Sequence, residues 1–251
     1  MGRLRRREPY APLTSQLLGI QFDSASNSGY QAASSSYSWS HTCSGSNRFL
    51  SVDIAVLSVL GTTVTGITYN SIALSFLGSK TSGTGSDRIE TWGLIAPATG
   101  SNTIAVTLSA SVASSGVAVS YTGVHQTSPT EGFNSNEGTN GGSPADATVD
   151  ITSVANNCWI HAAVATNDTT ITANQTTRNN VSGALGSGAD EDFGPQTPAG
   201  TKTMSYTNVG ALAPWAIAGY ALRPTAASSL AVAYIPYDIP HSPAFQSVIA
   251  M

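Results

Sequence analysis

Charge is the scarcest property of this chain. Only 10% of its 251 residues are Asp, Glu, Lys or Arg, where about 25% is usual for soluble domains. Four of the ten basic residues crowd into the first seven positions, as Arg3, Arg5, Arg6 and Arg7. The remainder holds six basic against fourteen acidic residues. This is a short cationic arm on an acidic body, too weak a basic footprint to predict nucleic-acid binding. Four clustered arginines repel one another and need counter-charges, and a crevice lined with carboxylates suits their forked donors. The arm therefore points to docking on a protein surface in an assembly.

Other absences narrow the field. Two cysteines, Cys43 and Cys158, do not make a disulfide framework at this length. Both fall in apolar, strand-like segments, and we expect buried free thiols, since free Cys packs as a small hydrophobe. No run approaches the roughly 20 apolar residues of a membrane helix, and no membrane partner is expected. After the basic start, Glu8, Pro9, Pro12 and Gln16 interrupt the apolar stretch that a secretory signal needs. Arg6 stands where a myristoylation signal wants Ser or Thr. Synthesis and assembly in a cytosol are expected. No segment keeps a helical period over three turns.

What remains is Ser, Thr, Gly, Asn and Ala laid over a period of two. Tyr37, Trp39, His41 and Cys43 alternate with Ser38, Ser40 and Thr42. Leu50, Val52, Ile54 and Val56 share the next face, and Asn70-Ser71 marks a tight turn between two further runs. The pattern continues through Ile104–Leu108, Val117–Tyr121, Cys158–Ala165 and Trp215–Leu222. Short strands at even spacing predict an all-β fold, one antiparallel sandwich. We expect Trp39, Leu50, Val52, Ile54, Trp92, Val106, Trp159, Ile160 and Trp215 in its core. Residues 1–25 read as an arm, 26–36 as a loop, 125–146 as a surface excursion and 182–199 as a polar connection carrying Asp190, Glu191 and Asp192. Beyond Pro224, an extended tail carries Tyr234, Tyr237 and Phe245 on a chain stiffened by Pro236, Pro240 and Pro243.

Several stretches are similar to a known module. TrpSerHisThrCysSerGlySerAsnArgPheLeu (39–50) and ValThrGlyIleThrTyrAsnSerIleAlaLeu (64–74) resemble a β-sandwich that recurs in phage virion proteins and bacterial surface proteins. So do GluThrTrpGlyLeuIleAlaProAlaThrGly (90–100), residues 119–129 and residues 213–224. The resemblance covers roughly 30–224 and implies a jelly-roll-like sandwich with no catalytic or ligand residues carried over. The expected division is an arm over 1–29, a sandwich over 30–224 and a tail over 225–251.

Chemistry-bearing motifs are few. There is no His-x-x-x-His, no Cys-x-x-Cys, no Gly-x-Ser-x-Gly elbow and no phosphate-binding glycine loop. His41 and His161 sit beside Trp39 and Trp159 in strands and read as core histidines. Asp190, Glu191 and Asp192 read as a solvated acidic loop rather than a calcium site. Asp53 and Glu90 are a carboxylate pair that sequence cannot place in one cleft, as a glycosidase would need. The sequence thus points to no enzyme, no cofactor and no metal. It points to a structural protein of a phage-like virion, a capsid decoration or cement protein that clamps neighbouring subunits. Major capsid or other virion proteins and further copies of itself are the expected partners. Arg3, Arg5, Arg6, Arg7, Tyr10, Tyr234, Tyr237 and Phe245 are the expected partner-binding residues. The rival is a carbohydrate-binding or adhesion module on a tail, fibre or cell surface, with a glycan as ligand.

Overall fold

The alternating segments become strands because each apolar face finds a second sheet to pack on. The computed structural model describes residues 19–57, 61–138, 146–207 and 213–225. They form antiparallel sheets throughout, with no helix among the described residues. The first seven strands are β1 (Gln21–Cys43), β2 (Phe49–Leu57), β3 (Val64–Tyr69), β4 (Ile72–Ala73), β5 (Ser75–Thr81), β6 (Asp87–Ile95) and β7 (Gly100–Thr122). Then follow β8 (Thr130–Gly138), β9 (Ala147–Thr152), β10 (Cys158–Thr166), β11 (Thr172–Ala173), β12 (Thr176–Gly183), β13 (Gly186–Gln196), β14 (Thr201–Thr207) and β15 (Trp215–Leu222).

Two halves of the chain repeat one strand order. In the first, β1, β7, β2, β6 and β5 lie side by side; in the second, β8, β15, β10, β13 and β12 do. The remaining strands match as well. The N-terminal part of β7 lies between β3 and the C-terminal part of β1, as β14 lies between β11 and β9. In the first half two 23-residue strands, β1 and β7, run through both layers. In the second half the same positions are divided among β8, β9, β14 and β15. Register shifts along β1 between Asn27 and Ser36 let the long ribbon bend from one layer into the other.

Each half encloses its own apolar core. Leu50, Val52, Ile54, Ile67, Tyr69, Ile104 and Val106 fill the first. Ile151, Ile160, Val164, Met204, Tyr206 and Ile217 fill the second. The two halves then pack sheet to sheet across a seam of small residues, Ala55, Ala113, Ala163, Ala165, Ala216 and Ala218, with Leu57 and Ile89. Phe49, Tyr121, Tyr220 and Leu222 continue it. The sheets approach closely there. A Cβ on Gly188 would lie 2.7 Å from Ala55 Cβ and closer still to Ser115 Oγ. Strand alternation explains why β2 and β10 are buried on both faces. One face serves its own half and the other serves the seam.

The all-β antiparallel class is as expected, but several local readings change. Residues 21–36 are not arm and loop. They form the first part of β1, because β7 supplies a hydrogen-bonding partner that overrides their weak Ser/Asn/Gly propensity. The expected arm boundary at residue 29 therefore falls inside a strand. The excursion over 125–146 contains β8, paired with β15. The polar connection over 182–199 contains β13, paired with β10 and β12.

Of the expected core, Leu50, Val52, Ile54, Val106, Ile160 and Trp215 are buried. Trp39, Trp92 and Trp159 are half-buried, packed against the clusters. Cys43 and Cys158 are buried free thiols, as expected. Arg3, Arg5, Arg6, Arg7, Tyr10, Tyr234, Tyr237 and Phe245 lie outside the described residues.

Candidate functional site

A charged residue in the middle of an apolar strand needs a partner, because an isolated buried charge costs several kcal/mol or more. Asp53 interrupts LeuSerValAspIleAlaVal on β2, and His161 interrupts CysTrpIleHisAlaAlaVal on β10. Alternation turns both toward the seam, where they meet. His161 Nε2 lies 2.8 Å from Asp53 Oδ2, and both side chains are 0% exposed.

The pair is the centre of a larger polar network spanning both halves. The Tyr121 hydroxyl on β7 donates to Asp192 Oδ2 at 3.0 Å, and it lies 3.1 Å from His161 Nδ1, from which it accepts. Ser51 Oγ donates to Asp53 Oδ2 at 3.1 Å and itself accepts from the Tyr220 hydroxyl at 2.7 Å. Asp192 accepts from Arg178 Nε at 2.7 Å. The Arg178 guanidinium stacks 3.9 Å above the Phe22 ring, a second use of its planar cation. Asp190 accepts from Asn179 Nδ2 at 3.1 Å. Asp190, Asp192 and the Asn179 side chain are all buried.

The consecutive acids Asp190, Glu191 and Asp192 are therefore not a solvated loop. On β13 they alternate faces. Asp190 and Asp192 point to the seam, and Glu191 points to the second core, accepting the Gln175 N–H at 2.9 Å. This split also rules out the three acting together on one calcium ion.

The electrostatics follow from burial. Desolvation pushes Asp190 up to about 7, against the pull of His161 and the Asn179 donors. Glu191 is likewise pushed up to about 7 by burial, with the Gln175 and Ser205 N–H groups opposing. Burial alone would lower His161, but the Asp53 carboxylate, helped by Asp190 and Asp192, outweighs it and raises the imidazole above its ordinary value. Tyr121 and Tyr220 are driven well above the usual phenol range, chiefly by burial.

Other sequence candidates fall elsewhere. His41 is buried beside Ser26, with Nδ1 and Ser26 Oγ 2.7 Å apart. His125 Nδ1 accepts the Thr127 and Ser128 N–H groups and ends a turn. Asp53 and Glu90 do not share a cleft. Glu90 pairs with Ile54 in register, so the sheet separates it from Asp53, and it accepts the Val64 N–H at 3.1 Å and Arg88 Nε at 2.7 Å. The seam network is not legible in the sequence because its members are distant from one another along the chain. Its one visible signal was the matching interruption of two apolar strands by Asp53 and His161.

The exposed surface is Ser-, Thr- and Asn-rich, with separate larger side chains. Phe76 is 50% exposed and meets Trp92 edge-on, with ring centroids 5.3 Å apart. Phe133 is 42% exposed and lies over the backbone of Gly78. No family model matches this chain, and neither a curated protein nor a solved structure matches it.

Proposed function

We propose that the protein is a non-enzymatic structural component of a phage-like virion, a capsid decoration or cement protein. Each half is then a jelly-roll-like sandwich, and the pair forms a rigid body. The observation that carries the reading is where the reactive side chains lie. A cluster of titratable groups, Asp53, His161, Asp190 and Asp192, is sealed in the seam at 0–1% exposure. It joins the halves, while the face turned to solvent is mostly neutral and polar. The basic start and the aromatic, Pro-rich end supply the contacts to neighbouring subunits, and several weak contacts raise the effective concentration of each. Co-sedimentation with particles tests this. Deleting residues 1–8 leaves the body folded and weakens incorporation, the loss growing with salt as charge pairs are screened. Unchanged incorporation across salt contradicts it.

A glycan-binding role is the second reading, favoured by the exposed aromatics Phe76 and Phe133 on adjacent edge strands. Sugar rings stack on such faces. Glycan-array binding that is lost in Phe76→Ala and Phe133→Ala, and kept when residues 1–8 are deleted, selects it over the clamp.

A further inference from the structure

The seam network has more negative than positive groups. Three buried carboxylates, Asp53, Asp190 and Asp192, face one permanent cation, Arg178, and one imidazole. Hydrogen bonds leave part of this set unused. Asp53 Oδ1 is buried, with no hydrogen-bond partner, and so is Asp192 Oδ1. A carboxylate oxygen left bare in a dry interior is costly, and it calls for a positive group.

The same side chains are arranged as ligands. One atom each from Asp53, His161 and Asp190 lies within 4.8 Å of the others, and all three residues are buried. The His161 ring is held as ligating imidazoles are held. Its Nδ1 bonds the Tyr121 oxygen, which donates in turn to Asp192, itself held by Arg178, and this leaves Nε2 facing the carboxylates. Ser51 Oγ, 3.3 Å from Nε2 and 3.1 Å from Asp53 Oδ2, is a further oxygen on the same spot. Nitrogen with several hard oxygens is a donor set for zinc or manganese, and it is poor for soft, thiolate-seeking ions.

We propose that Asp53, His161 and Asp190 bind one divalent metal ion of the zinc–manganese class, which cross-links the two halves through β2, β10 and β13. The ion takes the place of the proton on the Nε2–Oδ2 line and neutralises the carboxylate excess. Its role is structural, since Asp53, His161 and Asp190 are all fully buried. This stands apart from the virion reading, and either can fail without the other.

The test uses the full chain. Protein is unfolded with chelator and refolded at pH 7.5 with Zn²⁺, Mn²⁺, Ca²⁺ or no metal. It is then gel-filtered, and its metal content and melting temperature are measured. The proposal expects one Zn²⁺ or Mn²⁺ retained per chain and a raised melting temperature. Asp190→Asn and His161→Gln should each reduce retention at least tenfold, while Asp150→Asn on the exposed face of β9 keeps it. X-ray absorption on the wild-type zinc form guards against variants that fail to fold. It should show nitrogen and oxygen neighbours at about 2.0–2.2 Å, one of them an imidazole. No retained ion with an unchanged melting temperature overturns the site and leaves an ion-pair network balanced by protons alone. A sulfur neighbour, or equal retention by the folded variants, overturns it too.

Discussion

Asp53 on β2 and His161 on β10 lie on equivalent strands of the two halves and bond each other. Leu50, Val52, Ile54 and Val56 on β2 face the first core as Cys158, Ile160, Ala162 and Val164 on β10 face the second. Asp53 and His161 lie on the opposite faces of these strands, toward the seam. The halves thus meet through one charged-type side chain from each, a carboxylate and an imidazole, 2.8 Å apart. Breaking a buried pair from one side leaves an uncompensated charge. Asp53→Ala, in chelator-treated protein, should cost about 3–5 kcal/mol. A double-mutant cycle with His161→Ala, measured by denaturant unfolding, should show strong coupling, whereas additive losses would mean that the two do not act as a pair.

The small residues of the seam set the distance between the sheets. Gly188→Val forces side-chain atoms into Ala55 and Ser115 and should cost about 1–3 kcal/mol through overpacking. Thr201→Val, on the exposed side of β14, should stay within about 0.5 kcal/mol. Thermal unfolding of the two variants distinguishes a tight seam from a loose one.

Acid should act through His41. Burial lowers its pKa from 6.5 to about 4, although Asp23 pulls the other way. The unfolded chain therefore takes up a proton that the folded chain refuses. The stability that this residue contributes is complete above pH 6.5 and is lost as pH falls from 6.5 toward 4, by up to about 3 kcal/mol at 1.36 kcal/mol per pKa unit. His41→Gln should flatten that part of the stability–pH curve, and an unchanged slope would place the acid sensitivity elsewhere.

The thiols should be inert in the native state. Burial pushes Cys158 up to about 12, with Glu131 adding to it, and also raises Cys43. Little thiolate forms at pH 8, so a thiol reagent should label neither cysteine until denaturant is added, and then both. Rapid native labelling of either would contradict its burial.

Much of the strand pattern is legible in the sequence, because half-buried strands alternate. Tyr37–Cys43 and Leu50–Val56 announce themselves in this way. Residues 21–36 do not, since Ser, Asn and Gly carry no period and only the long pairing with β7 makes them a strand. The repeat is hidden because the halves share the positions of apolar residues more than their identities. The core-facing side of β2 carries Leu50, Val52 and Ile54, and that of β10 carries Cys158, Ile160 and Ala162. Asp190 and Asp192 look like solvent-facing acids because a short sequence window does not show Arg178, Tyr121 and His161 arriving from three other strands. Sequence marks a buried charge only when apolar neighbours flank it, as they flank Asp53 and His161.

The central claim is that this chain is a structural part of a particle, attached through its ends. Electron cryo-microscopy of purified particles containing the chain tests it most directly. The account predicts two-half bodies on the capsid surface, with density for residues 1–18 and 226–251 running onto neighbouring subunits and Arg3, Arg5, Arg6 and Arg7 against carboxylates. Particles that lack the chain, or bodies whose ends touch only their own domain, would contradict it.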